Sequence, residues 1–246
     1  MQSKAFHTVY LMSPFVALLL TFVAAIAWLR TLDFFAHKGW IESRLSRKII
    51  HIGTGPIYVL CWLLFPGEWY DRWLAALVPG LITIQFVLVG LGLIKDEATV
   101  KSMARSGDRR EILRGPLFYG IVFVLLTLIY WKTSPIGITA LMLMCGGDGV
   151  ADLVGRWLPK PKLPWSPRKS LTGSLSVFVG GWILSVVILS AYIAAGVLPG
   201  PLSGYLLPVT LIALGGMLVE SLPYPDVDNI TVTVAAMLIG HLTIWP

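Results

Sequence analysis

Long apolar runs alternate along this chain with short stretches that hold nearly all of its charge. Eight apolar segments stand out, at residues 8–29, 49–65, 73–94, 117–130, 135–158, 175–198, 205–218 and 230–245. Crossing the hydrocarbon core of a bilayer takes about 20 helical residues. Several segments fall short of that, which predicts tilt, polar residues that continue the helix, or partial insertion. The fold expected is all-α: a polytopic integral membrane helical bundle of about seven or eight transmembrane helices. Residues 1–246 form one domain, with no internal repeat and no low-complexity tract. The fifth segment reaches spanning length only if its helix runs on through Gly146, Gly147 and Asp148, which places Asp148 and Asp152 towards one membrane face.

Composition agrees. The chain is 56% hydrophobic and 13% charged, against about 25% charged in soluble domains, which excludes a water-soluble fold. The first apolar run is too long for a secretory h-region, and no Arg- and Ser-rich transit peptide precedes it. This favours a bacterial, or else a photosynthetic, membrane. Cys61 and Cys145 lie in apolar runs and read as small buried side chains.

Charge sets the orientation. Of 19 Lys and Arg, 16 fall in the first, third and fifth loops, and only Lys4, Arg72 and Lys132 fall on the other side. The positive-inside rule puts those loops in the cytoplasm and both termini outside. The basic balance is therefore topology rather than a sign of nucleic-acid binding. Eleven of 13 acidic residues share the basic side, and the seventh loop, residues 220–229, is acidic with no cation. An acidic loop beside three basic ones offers both halves of a site for Mg²⁺ and phosphate.

The chemistry concentrates in four places. Asp148 and Asp152 are one helical turn apart on one face, and Arg156 continues that face. Carboxylates at membrane depth are costly, so they point to function, although a structural ion pair with Arg156 is the plainer alternative. Gly146, Gly147 and Gly149 would let an ion or nucleotide approach the backbone. The fifth loop is rich in proline, hence irregular and stiff. It carries Lys162, Arg168, Lys169 and Ser170 up to a helix start near Gly173, a favourable place for phosphate, or else for contact with anionic lipid. Glu220, Asp226, Asp228 and Asn229 can bind a second metal or accept a proton, or simply form a solvated loop that caps the last helix. Arg47 and His51 share a face at the start of the second span, beside Lys48, and His51 can bind phosphate or shuttle a proton. The loop from Arg105 to Glu111 can fold over a nucleotide or be a plain cytoplasmic loop.

These blocks together resemble the phytol kinase and farnesol kinase family, which is related to dolichol kinase. The resemblance is carried by Arg47-Lys48 with His51, Gly53 and Gly55; by Arg105-Ser-Gly with Arg114-Gly-Pro; by Gly146 to Arg156; by Arg168-Lys-Ser with Gly173-Ser174; and by Glu220-Ser with Asp228-Asn229. It covers residues 44–232 in the expected order. It implies a multi-pass kinase that phosphorylates an isoprenoid alcohol (phytol, geranylgeraniol or farnesol) at the cytoplasmic face, with CTP as donor and Mg²⁺ required. Catalysis would fall to Asp148, Asp152, Glu220 and His51. Metal would be held by Asp148, Asp152, Asp228 and Asn229. Nucleotide and phosphate would meet Arg47, Lys48, Arg105, Arg114, Gly147, Gly149, Arg156, Lys162, Lys169, Ser170 and Gly173. The central block is also similar to the Asp-rich region of CDP-diacylglycerol synthase, so a cytidylyltransferase is the first alternative. A transporter of an anionic solute is a distant second, because a transporter usually shows paired repeats with a site at the midplane.

Overall fold

Ser13 opens the first helix: its hydroxyl accepts the Phe15 amide at 3.3 Å, and Pro14 takes the first helical position, where a missing N–H costs nothing. From there the computed structural model describes residues 12–104, 106–154, 161–223 and 227–246, with the side chains at 148, 149, 151–154 and 168 outside that description. The helices are α1 (Pro14–His37), α2 (Ser43–Cys61), α3 (Asp71–Leu91), α4 (Glu97–Met103), α5 (Gly115–Tyr130), α6 (Pro135–Val154), α7 (Leu171–Ala194), α8 (Ser203–Glu220) and α9 (Asp228–Leu242). All but the short α4 answer to the eight apolar segments, and the protein is an all-α polytopic membrane bundle. Among the described residues, five helical stretches are long and apolar enough to cross a bilayer: α1, α3, residues 109–130 ending in α5, α7 and α8. The segments that looked short gain length from polar residues. α2 begins at Ser43, six residues before its apolar run.

α7 shows how membrane burial sorts the side chains. Leu171, Leu175, Val179, Ile183 and Val187 recur every fourth residue and are exposed, while Ser174, Val177, Gly181, Ser185 and Ile188 are buried. Apolar groups face outwards and small or polar ones face the neighbours, as packing in lipid favours. α6 is the inner helix: every residue from Ile138 to Cys145 is at most 3% exposed.

α6 and α7 approach closely. A Cβ on Gly146 would lie 2.7 Å from the Gly180 carbonyl oxygen, and one on Gly181 would lie 2.2 Å from Leu143 Cδ1. Backbone cannot move aside as a flexible side chain can. Gly146→Ala is therefore expected to destabilise the bundle by about 1–3 kcal/mol, read as a lower Tm in detergent. An unchanged Tm would mean that the two helices separate at little cost.

Two features differ from expectation. The third loop contains α4, capped by Asp96, whose carboxylate accepts the Thr99 amide at 3.0 Å. The proline-rich fifth loop is not irregular throughout. It forms a hairpin of β1 (Lys162–Leu163) and β2 (Ser166–Ser170), with Lys162 opposite Ser170 and Leu163 opposite Ser166. Leu163 and Ser166 are buried, so tertiary packing organises a segment with little propensity of its own.

Candidate functional site

A cavity of about 320 Å³ opens among α1, α2, α3 and α5. α2 supplies one wall because Arg47, His51, Thr54 and Tyr58 recur at helical spacing on one face. The depth is lined by Trp28, Ile57, Tyr58, Val78, Ile82 and Phe123. The hydroxyls of Thr21, Thr54 and Thr83 each bond a carbonyl one turn earlier on their own helix, at 2.6–2.7 Å. The threonines at the wall thus satisfy themselves and leave an apolar interior.

The mouth is of opposite character. Arg47, Lys48, His51, Glu111, Arg114, Asp228 and Asn229 line it, drawn from α2, the turn before α5, and α9. Arg47 also donates to the Ala104 carbonyl at 3.3 Å, and Glu111 accepts the Ser106 amide at 3.0 Å. Arg47 and Lys48 are shared with a second, more open cleft that includes Arg44 and Lys101. Sequence positions far apart therefore converge at one end of the bundle, with three cations and two carboxylates at the rim of an apolar hole.

His51 lies between these zones. Its Nε2 is 3.2 Å from the Met144 carbonyl, and its ring packs on Tyr119 with centroids 4.5 Å apart. A carbonyl only accepts, so a neutral His51 carries its proton on Nε2 and its lone pair on Nδ1. Tyr119 donates to the His51 carbonyl at 2.7 Å, which fixes the two side chains together. Met144 is one turn before Asp148 on α6, so His51 stands close to the start of the Asp148–Asp152 stretch.

The hairpin is fastened to the far end of the chain. Lys169 Nζ donates to Glu220 Oε1 at 2.7 Å and Asp228 Oδ2 at 2.9 Å, and the Ser174 hydroxyl donates to Glu220 Oε2 at 3.1 Å. Trp165 Nε1 adds a bond to Ser221 at 3.3 Å. Burial alone would lower the Lys169 pKa, but the hydrogen bonds and charges of Glu220 and Asp228 outweigh it, and the ammonium is held above its ordinary range. Asp228 belongs both to this cluster and to the cavity mouth. Glu220 belongs to the cluster and is not among the lining residues.

Other expected residues have structural partners. Ser170 caps α7 by accepting the Gly173 amide at 3.1 Å, and the Leu171 amide donates to the Pro161 carbonyl at 3.0 Å. Two donors of the anticipated phosphate cradle are thus bonded within the protein. A Cβ on Gly147 would meet Val177 at 2.8 Å, so this glycine serves the α6–α7 contact. Asn229 is the second residue of α9 rather than its cap, and its Nδ2 donates to the Gly115 carbonyl at 3.3 Å. Lys162 is exposed on β1. Arg105, Arg156 and Asp226 lie outside the described residues, as do the side chains of Asp148, Gly149 and Asp152.

Among the described residues no cluster of three or more metal-type side chains occurs. Glu220 and Asp228 nevertheless aim one oxygen each at a single cation, Lys169 Nζ, and such hard oxygen donors are the kind Mg²⁺ takes. Their oxygens are donors of the right kind for a divalent ion, and in this structure Lys169 holds both of them.

Sequence reasoning passed over Tyr119 and named none of the residues that line the apolar interior. The signal for Tyr119 was weak: an aromatic residue one turn after Arg114-Gly-Pro. The interior carried none, because four helices contribute to it.

Comparison with curated proteins gives consistent relatives. The chain is 38% identical over 243 residues to "Probable phytol kinase 3, chloroplastic" of Glycine max, covering 98% of this chain and 76% of that protein. It is 40% identical over 207 residues to "Farnesol kinase, chloroplastic" of Arabidopsis thaliana, covering 83% and 67%. It is 37% identical over 221 residues to "Phytol kinase 1, chloroplastic" of the same plant, covering 89% and 73%. These names place the relatives in plant chloroplasts and lend no support to a bacterial membrane. No family model matches the chain, and no solved structure does either.

Proposed function

The chain belongs to the phytol kinase and farnesol kinase family, and from that premise we propose that it transfers phosphate from CTP to the hydroxyl of an isoprenoid alcohol at the cytoplasmic face of its membrane. One observation carries the reading: an apolar cavity inside the bundle ends in a mouth ringed by Arg47, Lys48, Arg114, His51 and Asp228. A prenyl alcohol has the same polarity. Its tail matches the interior, and its hydroxyl would emerge among cations able to meet a triphosphate. The charge asymmetry of the loops supports the cytoplasmic side. The preference for CTP rests on the likeness of residues 146–156 to the Asp-rich region of CDP-diacylglycerol synthase.

Phosphoryl transfer is mostly positioning and charge stabilisation, and the protein supplies both. Mg²⁺, held by Asp148 and Asp152 with Asp228 and Asn229, would neutralise charge on the β- and γ-phosphates when bound. Arg47, Lys48, Arg114 and Lys169 lower the cost of bringing a polyanion to the alcohol, and Arg105, Arg156 and Lys162 extend that basic set. Ser170, Gly173, Gly147 and Gly149 shape the backbone that borders it. His51 is the better candidate to receive the hydroxyl proton, because it lines the cavity. Glu220 acts by holding Lys169 and Ser174.

The test is a transfer assay with purified protein in detergent, γ-labelled CTP or ATP, Mg²⁺, and phytol, geranylgeraniol or farnesol. Label is expected in a lipid monophosphate, with CTP preferred over ATP. No labelled lipid from a folded preparation, together with pyrophosphate release from CTP and phosphatidic acid, would replace the kinase by a cytidylyltransferase.

A further inference from the structure

The cavity has a floor, and we propose that Tyr58, Phe123 and Val78 form a chain-length gauge that decides how many isoprene units the alcohol can carry. The inference rests on the alcohol-kinase reading and adds to it the residues that set specificity.

The three side chains come from α2, α5 and α3, and each is at most 4% exposed. Tyr58 is held in place at its far end. Its hydroxyl lies 3.0 Å from both the Ala75 carbonyl and the Thr127 hydroxyl, and Thr127 donates onward to the Phe123 carbonyl at 2.6 Å. The Tyr58 ring packs against Phe123 at 5.5 Å and edge-on against Trp62 at 5.7 Å. Behind it, Trp62 packs tilted and Phe65 packs edge-on against Trp131, at 5.2 and 5.6 Å. The cavity thus ends on a hydrogen-bonded aromatic plug, and a tail cannot thread past it without breaking polar contacts in a water-poor interior.

The depth can be measured along α2. From His51, which receives the hydroxyl proton, to Tyr58 is seven residues, or about 10 Å at 1.5 Å per residue. An extended carbon chain advances about 1.2 Å per bond, judged from the polypeptide backbone, so each isoprene unit adds about 5 Å. With its C–O bond, a two-unit alcohol spans about 10 Å and just reaches the floor, whereas a three-unit alcohol spans about 14 Å and must press on it or fold. Only the last unit of the longer alcohol therefore senses Phe123 and Val78.

The test uses full-length protein and a series with two, three, four and five isoprene units, read two ways: kcat/KM for phosphorylation, and the rise in Tm caused by each alcohol without nucleotide. In Phe123→Ala the ratio of kcat/KM for three-unit over two-unit alcohols is expected to rise at least about tenfold. In Val78→Phe the ratio for three-unit over two-unit alcohols is expected to fall by a similar factor. The Tm shifts should follow the same order. Helicity and elution volume identify any variant that fails to fold, and the two substitutions act in opposite directions, so one folded variant suffices. Ratios that stay within about twofold of the original in a folded variant would overturn the gauge. Length-dependent Tm shifts that respond to the floor, without phosphate transfer, would uphold the gauge and sink the kinase reading instead.

Discussion

Asp148→Asn is expected to lower phosphate transfer by about a thousandfold, or roughly 4 kcal/mol of barrier, while the protein still inserts and folds. Asparagine keeps the shape of the side chain and removes its charge, so the loss falls on chemistry rather than packing. The position is right for this. α6 is enclosed by its neighbours from Ile138 to Cys145, and its Met144 carbonyl meets His51 at the cavity wall. The next turn brings Asp148, and the turn after it Asp152. A carboxylate at that level would hold a metal ion, whose charge when bound would offset that of the phosphates. Asp152→Asn should fall in parallel. The check is turnover of purified variants alongside helicity, elution volume and the Tm shift caused by added alcohol. A folded Asp148→Asn protein that works at near-normal rate would remove the centre of the proposed mechanism.

The sequence disclosed elements better than their relations. Apolar runs located eight long helices because lipid selects for hydrophobicity along the whole buried length. They misplaced helix starts such as Ser43, because helices continue past the hydrocarbon boundary into polar residues that no apolar count includes. The hairpin at 162–170 was illegible. Strands of two and five residues have no usable periodicity, and this one is held by burial of Leu163 and by Lys169 reaching α8 and α9. Lys169, Glu220 and Asp228 were each visible as candidates. Their union was not, since 51 and 59 residues separate the lysine from its partners. The cavity was least legible of all. It depends on how four helices are rotated about their axes, and each contributes residues that read locally as ordinary membrane-facing side chains.

Lys169→Met should damage stability and activity together, and a second substitution should separate them. Lys169 and Glu220 are 18% and 16% exposed, so removing the ammonium leaves a largely buried carboxylate without its cation, a change that costs about 3–5 kcal/mol in buried pairs. Asp228, at 40% exposed, adds little to that loss because solvent screens it. Adding Glu220→Gln to Lys169→Met neutralises the orphaned carboxylate and should recover most of the Tm. It should not recover turnover, which is expected to stay about a hundredfold down, because the cation beside Asp228 at the mouth is still missing. The sign of the pH dependence follows from the raised pKa. The ammonium's contribution is complete below its ordinary 10.5 and is lost only as pH rises through the higher folded value. The Lys169-dependent part of the Tm should therefore be flat between about pH 7 and 9. A double variant with restored Tm and restored turnover would make Lys169 a structural fastening for the hairpin and nothing more. Restored Tm with turnover still lost would make the same ammonium both the clasp that closes the hairpin onto α8 and α9 and the charge that meets the nucleotide.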